Sequence, residues 1–267
     1  MKRDRIGNIR LPEMEDGKTW ELFHESSKLS RYDIPPSNAQ VRQRMAELWE
    51  SLPYNGYPAV PLPAELSPLS LSLHDAIRTR VTGRDLVASR LPLRDVATLL
   101  ELSYGVTRDN DSGEFPRPFR VAPSAGALYP LEIYLHSARV DGIKPGLYHY
   151  DPSQRELQRL RDGDLSRELA DGLVQKELAL GTSLQVFITG IFERAVFKYG
   201  DRGYRFALLE AGHVAQNMNL VANALGHGVI NVGGFVDRVM DTLLGLDGIT
   251  HSTIYVIAVG AKPEATR

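Results

Sequence analysis

Apolar and polar positions along the chain follow two rhythms. From 203 to 225, GYRFALLEAGHVAQNMNLVANAL, the residues Leu208, Ala211, Ala215, Met218, Ala222 and Leu225 recur at spacings of three and four, which predicts a long amphipathic helix. Its small residues Ala207, Ala211, Gly212 and Ala215 would let another backbone come close. Similar spacing predicts helices over 39–51, with Met45, Leu48 and Trp49 on one side, and over 69–80, 93–104, 165–179 and 235–245. Short apolar, β-branched runs predict strands at 131–137 (LEIYLHS), 147–150 (LYHY), 184–192 (LQVFITGIF) and 252–260 (STIYVIAVG). A turn at Lys144-Pro145-Gly146 joins the first two, and 106–119, rich in Gly, Pro, Asp and Asn, reads as a loop. Strands and helices are interspersed, so the fold class is α+β or α/β.

Five prolines between 53 and 68 exclude helix there and predict an extended connector, or a strap across a partner subunit. The connector divides an N-terminal extension, 1–68, from a body, 69–267. With no cysteine in 267 residues, thiolate nucleophiles, disulfides, iron–sulfur clusters and cysteine zinc sites are excluded. A formal net charge of −2 argues against nucleic acid as a partner of the whole molecule. The first residues, MKRDRIGNIR, lack the apolar centre of a secretory signal, and no apolar run approaches the ~20 residues that span a bilayer. These features predict a soluble, cytoplasmic protein.

The seven histidines are scattered without metal-ligand spacing, so no metal site is expected. Neither a nucleophile elbow nor a Walker loop occurs. Gly226-His227-Gly228 follows a helix and precedes a strand, the reverse of a dinucleotide fingerprint, and reads as a helix C-cap. Two segments stand out. Arg78, Arg80, Thr82 and Arg84 place guanidinium forks and a hydroxyl at a helix end, which suits a phosphate monoester; alone, they read equally as a solvated basic terminus. Pro123-Ser124-Ala125-Gly126-Ala127-Leu128-Tyr129-Pro130 gives small residues whose backbone amides can approach a flat or anionic ligand, or simply a tight loop.

Taken together, the segments resemble the nitroreductase-like flavoproteins, and within them the SagB-type dehydrogenases, FMN-dependent azoline oxidases of thiazole- and oxazole-modified peptide biosynthesis. The likeness runs through ELFHESSKL (21–29), AIRTRVTGRDL (76–86), APSAGALYPLEIYL (122–135), KYGDRGYRFALLEAGHVAQNMNLVANALG (198–226), VGGFVDRVMDTLLGLDG (232–248) and YVIAVG (255–260). It implies an α+β nitroreductase-like fold, a central mixed sheet flanked by helices, in an intertwined homodimer that shares each flavin site. Arg80, Thr82 and Arg84 would hold the FMN phosphate, with Val81 where a second basic residue is usual. Ser124, Ala125, Gly126 and Ala127 would lie along the flavin, and the backbone of Glu210, Ala211 and Gly212 near its N5. Gly233, Gly234 and Lys262 would sit towards the phosphate.

The reaction so implied removes a proton from one ring carbon of a thiazoline or oxazoline and a hydride from the next, with FMN accepting the hydride and O2 reoxidising it. Lys198 and Tyr199 match the pair assigned as the base. A free lysine, near pKa ~10.4, is a poor base at neutral pH, so Arg202 or Arg205 is expected close by to favour its neutral form. The expected partners are a second copy, an azoline peptide and a cyclodehydratase. Two other readings stay open: an NAD(P)H-dependent nitro- or quinone reductase, and a flavin-lacking scaffold of a peptide-modifying complex.

Overall fold

Strand side chains alternate between two cores. In a computed structural model, which describes residues 18–110 and 113–263, Leu131, Ile133 and Leu135 face one core and Tyr134 the other. Val186 and Ile188 are set against Phe187 in the same way, as are Ile257 and Val259 against Val256 and Ala258. Residues 1–17 and 264–267, the two ends of the expected extension and body, lie outside the described residues.

The N-terminal part contains α1 (Thr19–Ser26), α2 (Asn38–Glu47), β1 (Ala59–Pro61) and α3 (Leu73–Thr79). Next come β2 (Leu91–Pro92), α4 (Leu93–Tyr104), β3 (Val106–Arg108), β4 (Phe119–Arg120), a 3-10 turn (Ala125–Ala127), β5 (Leu131–Ser137) and β6 (Val140–Asp141). Then follow β7 (Gly146–Asp151), β8 (Glu156–Asp162), α5 (Ser166–Gly172), α6 (Glu177–Gly181) and β9 (Leu184–Ile191). The chain closes with α7 (Glu193–Tyr199), α8 (Asp201–Ala224), β10 (Gly228–Val232), α9 (Asp237–Leu244) and β11 (His251–Gly260). Among the described residues, no helix is long and apolar enough to cross a membrane.

The main sheet has seven strands in the order β1-β8-β7-β5-β9-β11-β10. Every pairing in it is antiparallel, which corrects the expected mixed sheet. Here β5, β7 and β8 follow one another through turns, and neighbours reached through helices enter from the opposite end, so no crossover creates a parallel pair. The α4 and α8 helices cover one face and α5, α6 and α9 the other, so β5 and β9 are buried on both faces and mainly apolar, with Glu132, His136, Gln185 and Thr189 as buried polar exceptions. Within the connector, β1 pairs with β8 as an edge strand, where proline is tolerated.

The α8 helix matches its predicted period, but its faces divide differently from the simplest reading. Ala207, Ala211 and Ala215 fall four residues apart and pack inward, at most 1% exposed. Gly212, one residue on, faces outward beside the exposed Leu208 and Leu209. Only that outer face is open to a second chain.

The predicted helix at 165–179 is two short ones, because Leu173 bridges to Phe235 and the Val174 amide donates to the Gly234 carbonyl (3.0 Å). The predicted 39–51 helix stops at Glu47, where the buried Arg117 guanidinium takes the Met45 and Leu48 carbonyls (both 3.0 Å), and Trp49 lies beyond it. The unforeseen α7 turns into α8 at Gly200 (φ 56°), and a Cβ on Gly203 would lie 2.6 Å from the Ala195 carbonyl carbon. That corner carries Lys198 and Tyr199.

Candidate active site

Three residues of the 123–130 loop have left-handed backbone: Gly126 (φ 63°), Ala127 (φ 52°) and Tyr129 (φ 47°). Such a conformation costs a non-glycine residue roughly 1–2 kcal/mol, so other contacts must hold it. The Tyr129 amide donates to Ser124 Oγ (2.9 Å), and the Arg120 amide donates to Tyr129 Oη (2.9 Å). Arg117 Nη1 donates to the Leu128 carbonyl (3.0 Å), and the Leu128 side chain is fully buried against Val41 and Met45.

Lys198 and Tyr199 reach this loop from the end of α7. A Cβ on Gly126 would lie 2.6 Å from Tyr199 Oη and 3.0 Å from Lys198 Nζ, so any side chain there would displace the pair. Tyr199 stands edge-on to Phe206 (5.0 Å), and Lys198 Nζ lies over the Phe115 ring (4.9 Å). Arg194 anchors α7 from inside the core: its Nη1 is 2.6 Å from Glu132 Oε1, though not aligned as a hydrogen bond. The expected arginine neighbours are engaged elsewhere: Arg205 Nε donates to Ser27 Oγ (2.7 Å) and Arg202 to the Ser27 carbonyl (3.4 Å), tying α8 to the segment after α1.

Lys198, Ser124, Gly126, Ala127 and Tyr129 line a cavity of about 670 Å³. A larger groove of about 800 Å³ lies between the end of α2 and the β7–β8 hairpin; it shares Phe115 but holds none of the predicted site residues. The smaller cavity is therefore the one that brings Lys198 together with Ser124, Gly126 and Ala127.

Glu210, Ala211 and Gly212 sit mid-helix in α8, with their backbone committed to the helix. The Glu210 side chain turns into the core beneath the 123–130 loop. It is 2% exposed and takes a hydrogen bond from Tyr104 Oη (3.0 Å). Burial pushes its carboxyl up to about 7; hydrogen bonding from Ser124 and Tyr104, and the charge of Arg120, limit the rise. The Arg120 guanidinium stacks over Tyr104 (4.5 Å) and Tyr129 (5.0 Å), completing a buried support beneath the loop.

The predicted phosphate residues gather at the other end of the sheet. Ser72 caps α3, which ends at Thr79; Arg80 leads into an extended segment where the Gly83 amide donates to the Val229 carbonyl (2.9 Å). Asn223 on α8 donates to Thr79 Oγ1 (2.9 Å) and accepts from Lys262 Nζ (3.1 Å), drawing Lys262 to this segment. Arg80 and Arg84 have no carboxylate partner among the described residues, and Thr82 and Arg84 are exposed. Gly233 and Gly234 are not at this end: β10 separates them from Gly228 by five residues, about 17 Å of strand. The 123–130 loop is farther still. Leu131 pairs with Gly190, and Ile191 with His251, so the loop lies level with the start of β11, whose ten residues span about 30 Å to the Lys262 end.

Residues 77–261 match the model of the nitroreductase family. A protein of Methanocaldococcus jannaschii described as a nitroreductase is 35% identical over 194 residues, 73% of this chain and 93% of that protein. The microcin B17-processing protein McbC of Escherichia coli is 33% identical over 175 residues, 63% of this chain and 61% of McbC. Among solved structures, one from Anabaena variabilis described as a nitroreductase superposes with a TM-score of 0.73 at 24% identity, over 95% of this chain and about half (49%) of that one. A chain of the E. coli microcin synthetase McbBCD complex, solved with truncated pro-MccB17 bound, superposes at 0.59 with 27% identity, over 90% of this chain and 85% of that one. The family model covers more than half of the sequence and the fold agrees: the chain belongs to the nitroreductase family.

Proposed function

We propose that the protein is an FMN-dependent dehydrogenase that oxidises thiazoline or oxazoline rings in a modified peptide to thiazole or oxazole. One observation carries the reading: Lys198 and Tyr199 meet at Gly126, and Lys198 lines the cavity that the Pro-Ser-Ala-Gly loop also lines. The likeness to McbC, and to the trifolitoxin-processing protein TfxB of Rhizobium leguminosarum at 26% identity over 46% of TfxB, supports a peptide substrate. The McbBCD likeness supports a cyclodehydratase partner.

The residues fit a flavin. The 124–127 stretch carries no bulky side chain, and among the described residues Arg80 and Arg84 have no carboxylate partner, in the segment after Thr79 that Asn223 joins to Lys262. About 30 Å of β11 runs between the levels of this cluster and the 123–130 loop, which supports a site that takes its parts from two copies. One protomer supplies Arg80, Thr82, Arg84 and Lys262 to the phosphate, with Gly233 and Gly234 farther along β10. The other supplies Ser124 to Ala127 with Lys198 and Tyr199. The outer face of α8, with Leu208, Leu209 and Gly212, is the surface open to that second copy.

When bound, the flavin supplies a two-electron acceptor for the hydride. Lys198 or Tyr199 takes the ring proton, and Gly126 sets where the two groups sit. Lys198→Ala should keep FMN and abolish azole formation, read as the absence of a two-hydrogen mass loss from azoline peptide. Retained azole formation would remove Lys198 from the chemistry. The M. jannaschii relative supports a second reading, an NAD(P)H-dependent nitro- or quinone reductase. Rapid flavin reduction by NAD(P)H, indifferent to Lys198→Ala, would favour it.

A further inference from the structure

Among the described residues, charge in the cavity beneath Lys198 is unbalanced. Arg108, at the end of β3, lays its guanidinium on the Phe119 ring, 4.4 Å from the centroid. Stacking fixes the plane of a guanidinium and leaves its in-plane N–H donors free at the edge. Arg108 lines the cavity together with Lys198, Phe115 and Tyr129. The one carboxylate among the described lining residues is Glu114, which already takes Asn38 Nδ2 (2.7 Å) and lies 3.6 Å from Arg42. Arg108 and Lys198 are thus left without an anionic partner among the described residues, across a space walled by flat rings.

The chemistry of an azoline peptide supplies a matching group. The ring carbon that gives up its proton is a former α-carbon and carries its own residue's carbonyl, which links the ring to the next residue. As the proton leaves, negative charge spreads onto that carbonyl oxygen. Donors fixed where charge develops stabilise it without reorganisation, and a guanidinium presents several in one plane. We propose that Arg108 binds the carbonyl oxygen, or in a free acid the carboxylate, attached to the azoline carbon that loses its proton, so that the cavity selects five-membered heterocycles bearing a 4-carbonyl group. This assignment rests on the azoline reading.

The test uses the full chain reconstituted with FMN and two unreactive probes, thiazole-4-carboxylate and thiazole, titrated calorimetrically. The wild-type protein should bind the carboxylate at least about tenfold more tightly, the size expected of one charge-assisted contact. Arg108→Ala should erase that ratio, and Arg108→Lys, which keeps the charge but loses the fork, should retain part of it. An unchanged ratio in Arg108→Ala, or no preference in the wild type, overturns the assignment. Azoline peptide separates the two ideas. If it is not oxidised while the carboxylate preference still depends on Arg108, the binding site stands and the oxidase reading falls. If it is oxidised with the same KM in Arg108→Ala as in the wild type, the oxidase reading stands and the assignment falls.

Discussion

Gly126→Ala separates the cost of folding the loop from the cost of misplacing the groups above it. With φ at 63°, an alanine there bears a left-handed backbone, worth roughly 1–2 kcal/mol. Its Cβ would stand 2.6 Å from Tyr199 Oη and 3.0 Å from Lys198 Nζ. Both are the far ends of flexible side chains, so they can yield at little further cost to stability. To reach ordinary contact, however, Tyr199 Oη must withdraw by about 1 Å, and a misplacement of that size can cost ~100-fold in rate. The expected outcome is a midpoint in urea lowered by only 1–2 kcal/mol equivalent and azole formation lowered on the order of 100-fold. Melts followed by circular dichroism and product masses followed over time read the two effects separately. A Gly126→Ala protein that turns over within threefold of the wild type would refute the view that the spacing between this loop and the Lys198–Tyr199 pair matters.

Two buried carboxylates should shape the stability profile in opposite directions. Glu210 is raised from 4.5 to about 7 by burial, so its proton stays on in the folded state while the unfolded chain ionises; stability should fall by about 3 kcal/mol as pH rises from 4.5 through 7, and Glu210→Gln should flatten that fall. At Glu132, burial also pushes upward, but Arg194 and His149 outweigh it and hold the carboxyl at about 2; stability should be lost by about 3 kcal/mol as pH drops from 4.5 through 2. Urea titrations across the range read both arms, and an alkaline arm unchanged in Glu210→Gln would sink the first assignment. Gly203→Ala puts a Cβ within 2.7 Å of three backbone atoms of Ala195 and Val196, which no rotamer relieves; a loss of about 3 kcal/mol is expected, and a neutral melt would show that the α7–α8 corner opens freely.

What was legible in the sequence is what burial writes into it. The β5 and β9 strands and the second half of β11 are buried on both faces and therefore read as mainly apolar, and α8 is long enough for its period to show. The α7 helix is seven residues, too short for periodicity, although it carries the candidate base. The β8 strand, ELQRLRD, is mostly polar and owes its conformation to pairing with β7 and β1. The break between α5 and α6 is set by the Leu173–Phe235 bridge, a contact between distant segments that local spacing does not encode. Glu210 stood inside the motif, but whether its backbone or its carboxylate serves the site depends on which face of α8 turns inward.

The least legible feature was distance. Motifs that suit one cofactor lie only about forty residues apart at 80–84 and 124–127, yet the length of β11, about 30 Å, separates them in the fold. If each site joins the Arg80 end of one copy to the Lys198 end of another, two inactive variants should complement. A dimer of an Arg80→Ala chain with a Lys198→Ala chain has one site carrying both lesions and one site carrying neither. With random reassociation half the dimers are mixed, so about a quarter of wild-type azole formation should return from two silent parents, as the symmetry of a two-site dimer requires. A site built within a single chain allows no such rescue, because every site then keeps one lesion. Mixing under conditions shown by mass to exchange subunits, with no activity recovered, would overturn the shared site and with it the division of labour assigned here to the two ends of the sheet.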